Sequence, residues 1–323
     1  MSSNTKQARI LTVTVNPALD MASSTPRVEP DHKLRCTAPT TEPGGGGVNV
    51  SRACRLLGGE SDTFTVLGGA IGKEFEALLR KNGLEPVIAE VTANTRIAIA
   101  ISDDTRGGQY RFGFPGEGVT AEETAAIRAQ FRLQLQTGYA IVVLSGSLAP
   151  GMADDTYAGM IDDIKASGAR AILDTHGPAL VEGLRRTPWL IKLDYHEALE
   201  IFNLDALDVS DAAVAAEALR EREAAEVVII TLREEGAVVS SAEAAWRITP
   251  PKVTVRSAIG AGDSFIGALS LAIARGESLE AACRRGVATA AATVATPGSA
   301  LCERSMADHC HDQTRVEKID RSR

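Results

Sequence analysis

Short apolar runs that do not alternate constrain this chain more than any other feature. Residues 140–144, 169–173, 189–192 and 227–231 are runs of this kind, and 9–15 and 61–67 also read as strands. A strand with one face in water alternates apolar and polar side chains, whereas a strand covered on both faces need not. Helical spacing fills the intervals, at 47–57, 72–81, 120–136, 154–167, 178–185, 195–202 and 211–222. Two more helices are expected at 262–275 and 279–295, after short strands at 237–240 and 244–247. This order implies an α/β fold, a three-layer α/β/α sandwich on a mostly parallel central sheet.

Two stretches break the rhythm. Residues 26–43 are polar and proline-rich, and 96–102 and 109–114 are strand-like runs joined by a turn at 103–108. Both are expected to leave the main layer as a small β-sheet lid, with segments at about 22–43 and 95–115. The 323 residues otherwise read as one domain, and 303–323, polar and charged, as a frayed tail.

The net charge of −8 argues against nucleic acid and anionic membrane surfaces as partners, since both select basic proteins. An anionic small molecule would have to be held by a few placed cations. No run reaches the roughly 18 apolar residues of a membrane span, and the polar start lacks a signal-peptide pattern. Five widely spaced cysteines without a Cys-x-x-Cys pair read as reduced thiols of a cytoplasmic protein.

Several familiar signatures fail. Gly68–Lys73 lacks Walker A spacing, and Glu74 stands where that motif needs Ser or Thr. His196 and Glu197 begin a zinc-protease pattern that Glu200 ends. Asp308, His309, Cys310, His311 and Asp312 could ligate a metal, but a solvated tail is the expected reading.

Two glycine clusters do carry chemistry. Gly260, Ala261 and Gly262 precede Asp263 and a helix of small residues. Backbone N–H groups at a helix N-terminus point outward at its positive end and form an anion site. Asp263 is placed to act as a base, or to serve only as a helix cap. Gly44–Gly47 open into a second helix that carries Asn49 in its first turn, which permits close backbone approach to a ligand.

Taken together, Asn16–Asp20, the Gly44–Asn49 run, Ser145–Gly151 and Gly260–Ser264 resemble the ribokinase/PfkB carbohydrate kinase family over roughly residues 9–302. Residues 33–39, 42–47 and 109–116 are most similar to its minor 6-phosphofructokinase branch. The 1-phosphofructokinases and tagatose-6-phosphate kinases usually carry Lys at the position of Gly46. The resemblance implies ATP- and Mg²⁺-dependent phosphorylation of a phosphorylated ketohexose, with fructose 6-phosphate expected. The alternatives are fructose 1-phosphate, tagatose 6-phosphate, or sugar-phosphate binding without catalysis. It also implies a homodimer built through the lid.

By the same resemblance Asp263 is the base, and the amides of Gly260, Ala261 and Gly262 hold the developing charge. Asp20, Gly45, Asn49 and Ser145 line the sugar pocket, and Lys33, Arg35 and Arg96 hold its phosphate, though Lys33 could instead reach the nucleotide. Lys192, Asp194, Thr231, Arg233 and Gly236 fall on the nucleotide side, with Glu197 as the metal residue. The family usually has Pro and Asn at the positions of Leu193 and Asp194, and often Gly at that of Arg233. Asp194 is expected to hold a Mg²⁺-bound water, and Arg233 either to clamp a phosphate or to crowd the site. K⁺ is a weaker expectation. Ser257 and Ile259 match its loop, whereas Thr296 and Ala300 replace the usual residues there.

Overall fold

The computed structural model describes residues 7–296, 298 and 300–321. The chain opens with β1 (Ile10–Thr14), β2 (Ala18–Thr25), β3 (Thr40–Gly44), α1 (Gly46–Leu56), β4 (Asp62–Gly68) and α2 (Gly69–Lys81). Next come β5 (Pro86–Val91), β6 (Arg96–Asp103), β7 (Gly108–Gly113), α3 (Ala121–Leu135), β8 (Ile141–Ser145) and α4 (Thr156–Ala166). The middle holds β9 (Arg170–Asp174), α5 (Gly177–Leu184), β10 (Leu190–Leu193), α6 (Tyr195–Phe202), α7 (Val209–Glu221) and β11 (Val227–Thr231). The last third holds β12 (Ala237–Ser240), β13 (Ala245–Thr249), α8 (Ala261–Ala274), α9 (Leu279–Val294), α10 (Arg304–Gln313) and β14 (Arg315–Ile319).

Ten strands form the central sheet in the order β14-β13-β12-β11-β10-β9-β8-β1-β4-β5. Every pairing from β11 to β5 is parallel, and β12, β13 and β14 close one edge antiparallel. The apolar runs split between the faces as the two-sided burial requires. Ile10, Ile141, Val143 and Ile172 face a core shared with α1, α8 and α9. Leu11, Val13, Val142, Leu144 and Leu173 face a second core shared with α3, α4 and α7. The fold is therefore the expected ribokinase-like three-layer sandwich. No helix among the described residues is long and apolar enough to cross a membrane.

A second, small sheet runs β3-β2-β6-β7. The hairpin read from 96–114 is present as antiparallel β6 and β7, while β2 and β6 pair in parallel over eight residues. Ala18–Thr25 gave no strand signal, because its polar residues alternate only loosely and Pro17 precedes it. Pro86–Val91 was likewise missed: it is a short edge strand that begins on a proline, which is where a sheet tolerates one.

The tail expected to fray does not. Residues 304–313 form α10, which buries Ala307 and Cys310 against Ala288, Ala291, Ala292 and Cys302. Residues 315–319 add β14 to the sheet beside β13. The helix buries only two of its ten residues, too few to show as a periodic apolar stripe.

Candidate active site

The N-terminus of α8 is built on Gly260, whose left-handed backbone (φ 72°) turns the chain into the helix. Gly260 makes no side-chain cap, and Asp263 in the first turn is not used as one. Its carboxylate instead accepts a hydrogen bond from Asn49 Nδ2 at 2.9 Å. Arg52 Nη1 in turn donates to Asn49 Oδ1 at 3.2 Å, while its Nη2 pairs with Glu42 Oε2 at 2.9 Å. The cap reading of Asp263 thus fails, and its carboxylate joins the start of α8 to the start of α1. Burial, reinforced by the nearby Asp174 charge, raises its pKa to about 6, against the pull of Asn49, Lys192 and Arg52.

Beneath it lies a buried charged pair. Lys192 Nζ, at the end of β10, donates to Asp174 Oδ1 at 2.5 Å, and both residues are less than a tenth exposed. Burial alone would strip the ammonium of its proton, but Asp174, Glu197 and Asp263 hold it charged. A Cβ on Gly262 would stand 3.2 Å from Nζ, so the lysine reaches the amide cradle itself. Ser145 Oγ donates to the other oxygen of Asp174 at 3.1 Å. A Cβ on Gly46 would fall 2.1 Å from that hydroxyl, which ties the glycine run to the same network.

Asp174 was not among the residues read from the sequence. It ends β9, and in parallel sheets ligands sit beyond the carboxyl ends of the strands, so a polar residue closing a buried run was the available signal. Arg52 and Glu42 were missed as well, since isolated charges on a helix and a strand carry no pattern.

On the sugar side, Asp20 in β2 lies against Gly44, where a Cβ would be 2.1 Å from its carboxylate. Burial and Glu42 raise its pKa to about 6, opposed by Arg96, Arg52 and Arg111. Arg96 starts β6, and its Nη2 donates to Asn16 O at 3.4 Å. Its Nε is buried with no hydrogen-bond partner, an open donor of the kind an incoming anion satisfies. Gly45 (φ 121°) holds the turn between β3 and α1. Asn49 thus reaches the cradle through Asp263, and Ser145 through the Asp174–Lys192 pair, while Asp20 and Gly45 lie along the glycine run with the Arg96 charge near Asp20. Lys33 and Arg35 do not join them. Both side chains stand exposed on the coil between β2 and β3, without an ion pair among the described residues.

Among the residues expected on the nucleotide side, Asp194 also serves the helix that follows it. Its carboxylate is the N-cap of α6, accepting from His196 N at 2.8 Å and Glu197 N at 2.9 Å. Glu197 Oε2 returns the bond from Asp194 N at 2.7 Å. Both bonds that Asp194 accepts fall on Oδ1 and close a capping box, which leaves the second carboxylate oxygen outside the cap. Glu197 is raised to about 7 by burial, against the Lys192 charge and with Asp174 and Asp194 adding to the rise. Arg233 has a left-handed backbone (φ 53°), lies 4.6 Å over the Tyr195 ring and bonds His196 Nε2 at 2.7 Å. Thr231 Oγ1 donates to Leu193 O, and Gly236 (φ 90°) turns toward β12 where a Cβ would strike Ile248 O.

An amide cradle with a buried lysine and a poised carboxylate, at the carboxyl edge of a parallel sheet and beside a small β lid, defines a sugar kinase of ribokinase-like architecture. The chain belongs to the pfkB family of carbohydrate kinases, whose family model matches residues 14–306. It is therefore a phosphotransferase with an alcohol group as acceptor. The chain is 36% identical over 307 residues to the ATP-dependent 6-phosphofructokinase isozyme 2 of Escherichia coli K12, covering 95% of this chain and 96% of that one. It is 32% identical over 284 residues to the 1-phosphofructokinase of Bacillus subtilis, covering 88% and 92%. The crystal structure of Escherichia coli phosphofructokinase-2 in complex with fructose-6-phosphate superposes with a TM-score of 0.87 at 33% identity, covering 95% and 99%.

Proposed function

We propose that the protein transfers the γ-phosphoryl group of ATP to the C1 hydroxyl of fructose 6-phosphate, giving fructose 1,6-bisphosphate. The observation that carries this reading is the Asn49–Asp263 bond at the mouth of the Gly260–Gly262 amides. Asp263 accepts the proton of the sugar hydroxyl as its oxygen forms the new bond to phosphorus and the bond to the ADP oxygen breaks. Asn49 aims the carboxylate. The amides at the start of α8 and the Lys192 ammonium face the charge that grows on the transferring group. Asp20 accepts from sugar hydroxyls, and the unpartnered Nε of Arg96 offers a donor to the sugar phosphate. Thr231 and Gly236 shape the nucleotide side, and Arg233 supplies a phosphate cation in place of the glycine common in the family.

Mg²⁺ takes oxygen ligands and commonly binds one or two carboxylates together with substrate phosphates. Glu197 fits that demand, because one oxygen accepts from Asp194 N while the other has no hydrogen-bond partner among the described residues, and Asp174 and Asp194 add negative charge nearby that a cation would relieve. The bound ion supplies charge neutralisation on the phosphates. Potassium has weaker support. Ser257 Oγ accepts from Ile259 N, and Thr296 Oγ1 donates back into α9. A homodimer through the lid is consistent with Tyr110 and Phe112, which stand exposed on the edge strand β7.

Fructose 6-phosphate is preferred to fructose 1-phosphate or tagatose 6-phosphate because Gly46 is pressed against Ser145, with no room for the lysine usual in those kinases. A coupled ADP-release assay over the three sugar phosphates tests it. A kcat/KM for fructose 6-phosphate below that of either rival reassigns the substrate.

A further inference from the structure

A cavity of about 340 Å³ opens between the 251–256 segment and α10, apart from the sugar and nucleotide residues above. Its volume lies in the range of small-molecule sites, roughly 300–1,000 Å³. Its lining includes Lys252 and Arg256 and no carboxylate, which is unusual on a chain of net charge −8. Neither cation forms an ion pair among the described residues. Across from them His309 Nε2 meets the Gln313 amide nitrogen at 2.7 Å. Val253 and Met306 add apolar wall, with Met306 43% exposed.

A planar guanidinium and an ammonium lining one space match the several oxygens of a phosphate dianion better than a single carboxylate. The apolar wall calls for a body behind that phosphate. The position gives such a ligand leverage. Residues 250–259 carry no helix or strand and lead directly into Gly260. They are pinned there by Arg256 N and Ser257 N, which both donate to Val294 O, at 2.7 and 3.2 Å.

We propose that this cavity binds a phosphate monoester with an apolar or planar body, and that its occupancy modulates phosphoryl transfer by holding the segment that feeds the amide cradle. The inference stands on the cavity and does not depend on which sugar phosphate is the substrate.

Titration calorimetry with phenyl phosphate tests binding without turnover, with inorganic phosphate and phenol as the other two arms. The expected result is saturable binding of phenyl phosphate that persists when the nucleotide site is filled with a non-hydrolysable ATP analogue. Inorganic phosphate binds more weakly, and phenol does not bind. Lys252→Gln with Arg256→Gln weakens phenyl phosphate at least ~10-fold while the melting temperature holds. Met306→Glu, which leaves both cations in place, weakens it as well. Saturating phenyl phosphate changes the steady-state kinase rate of wild type and not of the double variant. Loss of binding when the ATP analogue is present, equal affinity in the double variant, equal affinity for bare phosphate, or an unchanged rate on saturation each overturns the proposal.

Discussion

Asn49 and Asp263 lie 214 residues apart in the chain and 2.9 Å apart in the fold. One lies in the first turn of α1 and the other in the first turn of α8, so the Gly44–Gly47 run and the Gly260–Gly262 amides are joined by a hydrogen bond. Asp263→Asn should therefore lower kcat by on the order of 10²-fold or more, since proton transfer is lost, with little change in KM for the sugar phosphate. Steady-state kinetics checks this. Wild-type turnover in the variant would remove Asp263 from the chemistry.

The same carboxylate gives a pH signature. Its folded pKa, raised to about 6, lies above the ordinary 3.8, so its charged form is the disfavoured one in the fold. Activity should fall as pH drops through 6, because the base is then protonated. Stability moves the other way for this group: its burial penalty is full above pH 6 and fades as pH falls from 6 toward 3.8. Asp263→Asn is thus expected to melt higher than wild type at pH 8, with the gap narrowing by pH 5. Thermal melts at the two pH values decide it, and a gap that widens toward acid contradicts the assignment.

Lys192 and Asp174 form a buried pair, and removing one partner leaves an uncompensated charge that costs about 3–5 kcal/mol. Lys192→Met should destabilise the protein more than the double change Lys192→Met with Asp174→Asn. Both should be inactive as kinases, because the cradle loses its cation. Equal melting temperatures for single and double variants would show that the pair is not coupled.

Gly46 has no space for a side chain. Gly46→Ala brings a Cβ to 2.1 Å from Ser145 Oγ and 3.0 Å from Gly146 N, so something must shift. The expected loss is about 1–3 kcal/mol of stability together with a raised KM for the sugar phosphate. Ser145→Ala in the same chain should restore part of the stability. Denaturant titration of the three variants measures it, and no recovery in the pair would place the clash elsewhere.

Ending the chain after Glu303 removes α10 and β14. It uncovers Ala288, Ala291, Ala292 and Cys302 and leaves β13 as an open sheet edge. The truncated protein is expected to aggregate or melt well below the full chain, as size exclusion and calorimetry would show. An unchanged melting temperature would mean the tail is dispensable.

Both glycine clusters, the parallel core and a carboxylate at Asp263 beside the amide cradle were legible in the sequence because each is written locally. A buried strand shows as an unbroken apolar run, and an amide cradle needs small residues just before a helix. What the linear order could not supply was partnership. Asp174 became part of the site only when β9 and β10 were laid side by side and Lys192 came within 2.5 Å. That Asp194 also caps α6, with one oxygen accepting from two backbone amides, shows only once the helix is formed. Lys33 and Arg35 share the motif spacing of phosphate residues but stay exposed on the coil before β3. The tail looked unstructured because its two buried residues acquire meaning only against α9. Local sequence fixes which backbone shapes are affordable, while Coulomb and packing energies depend on distances of a few ångström between residues far apart in the chain. Those distances exist only once the sheet has closed.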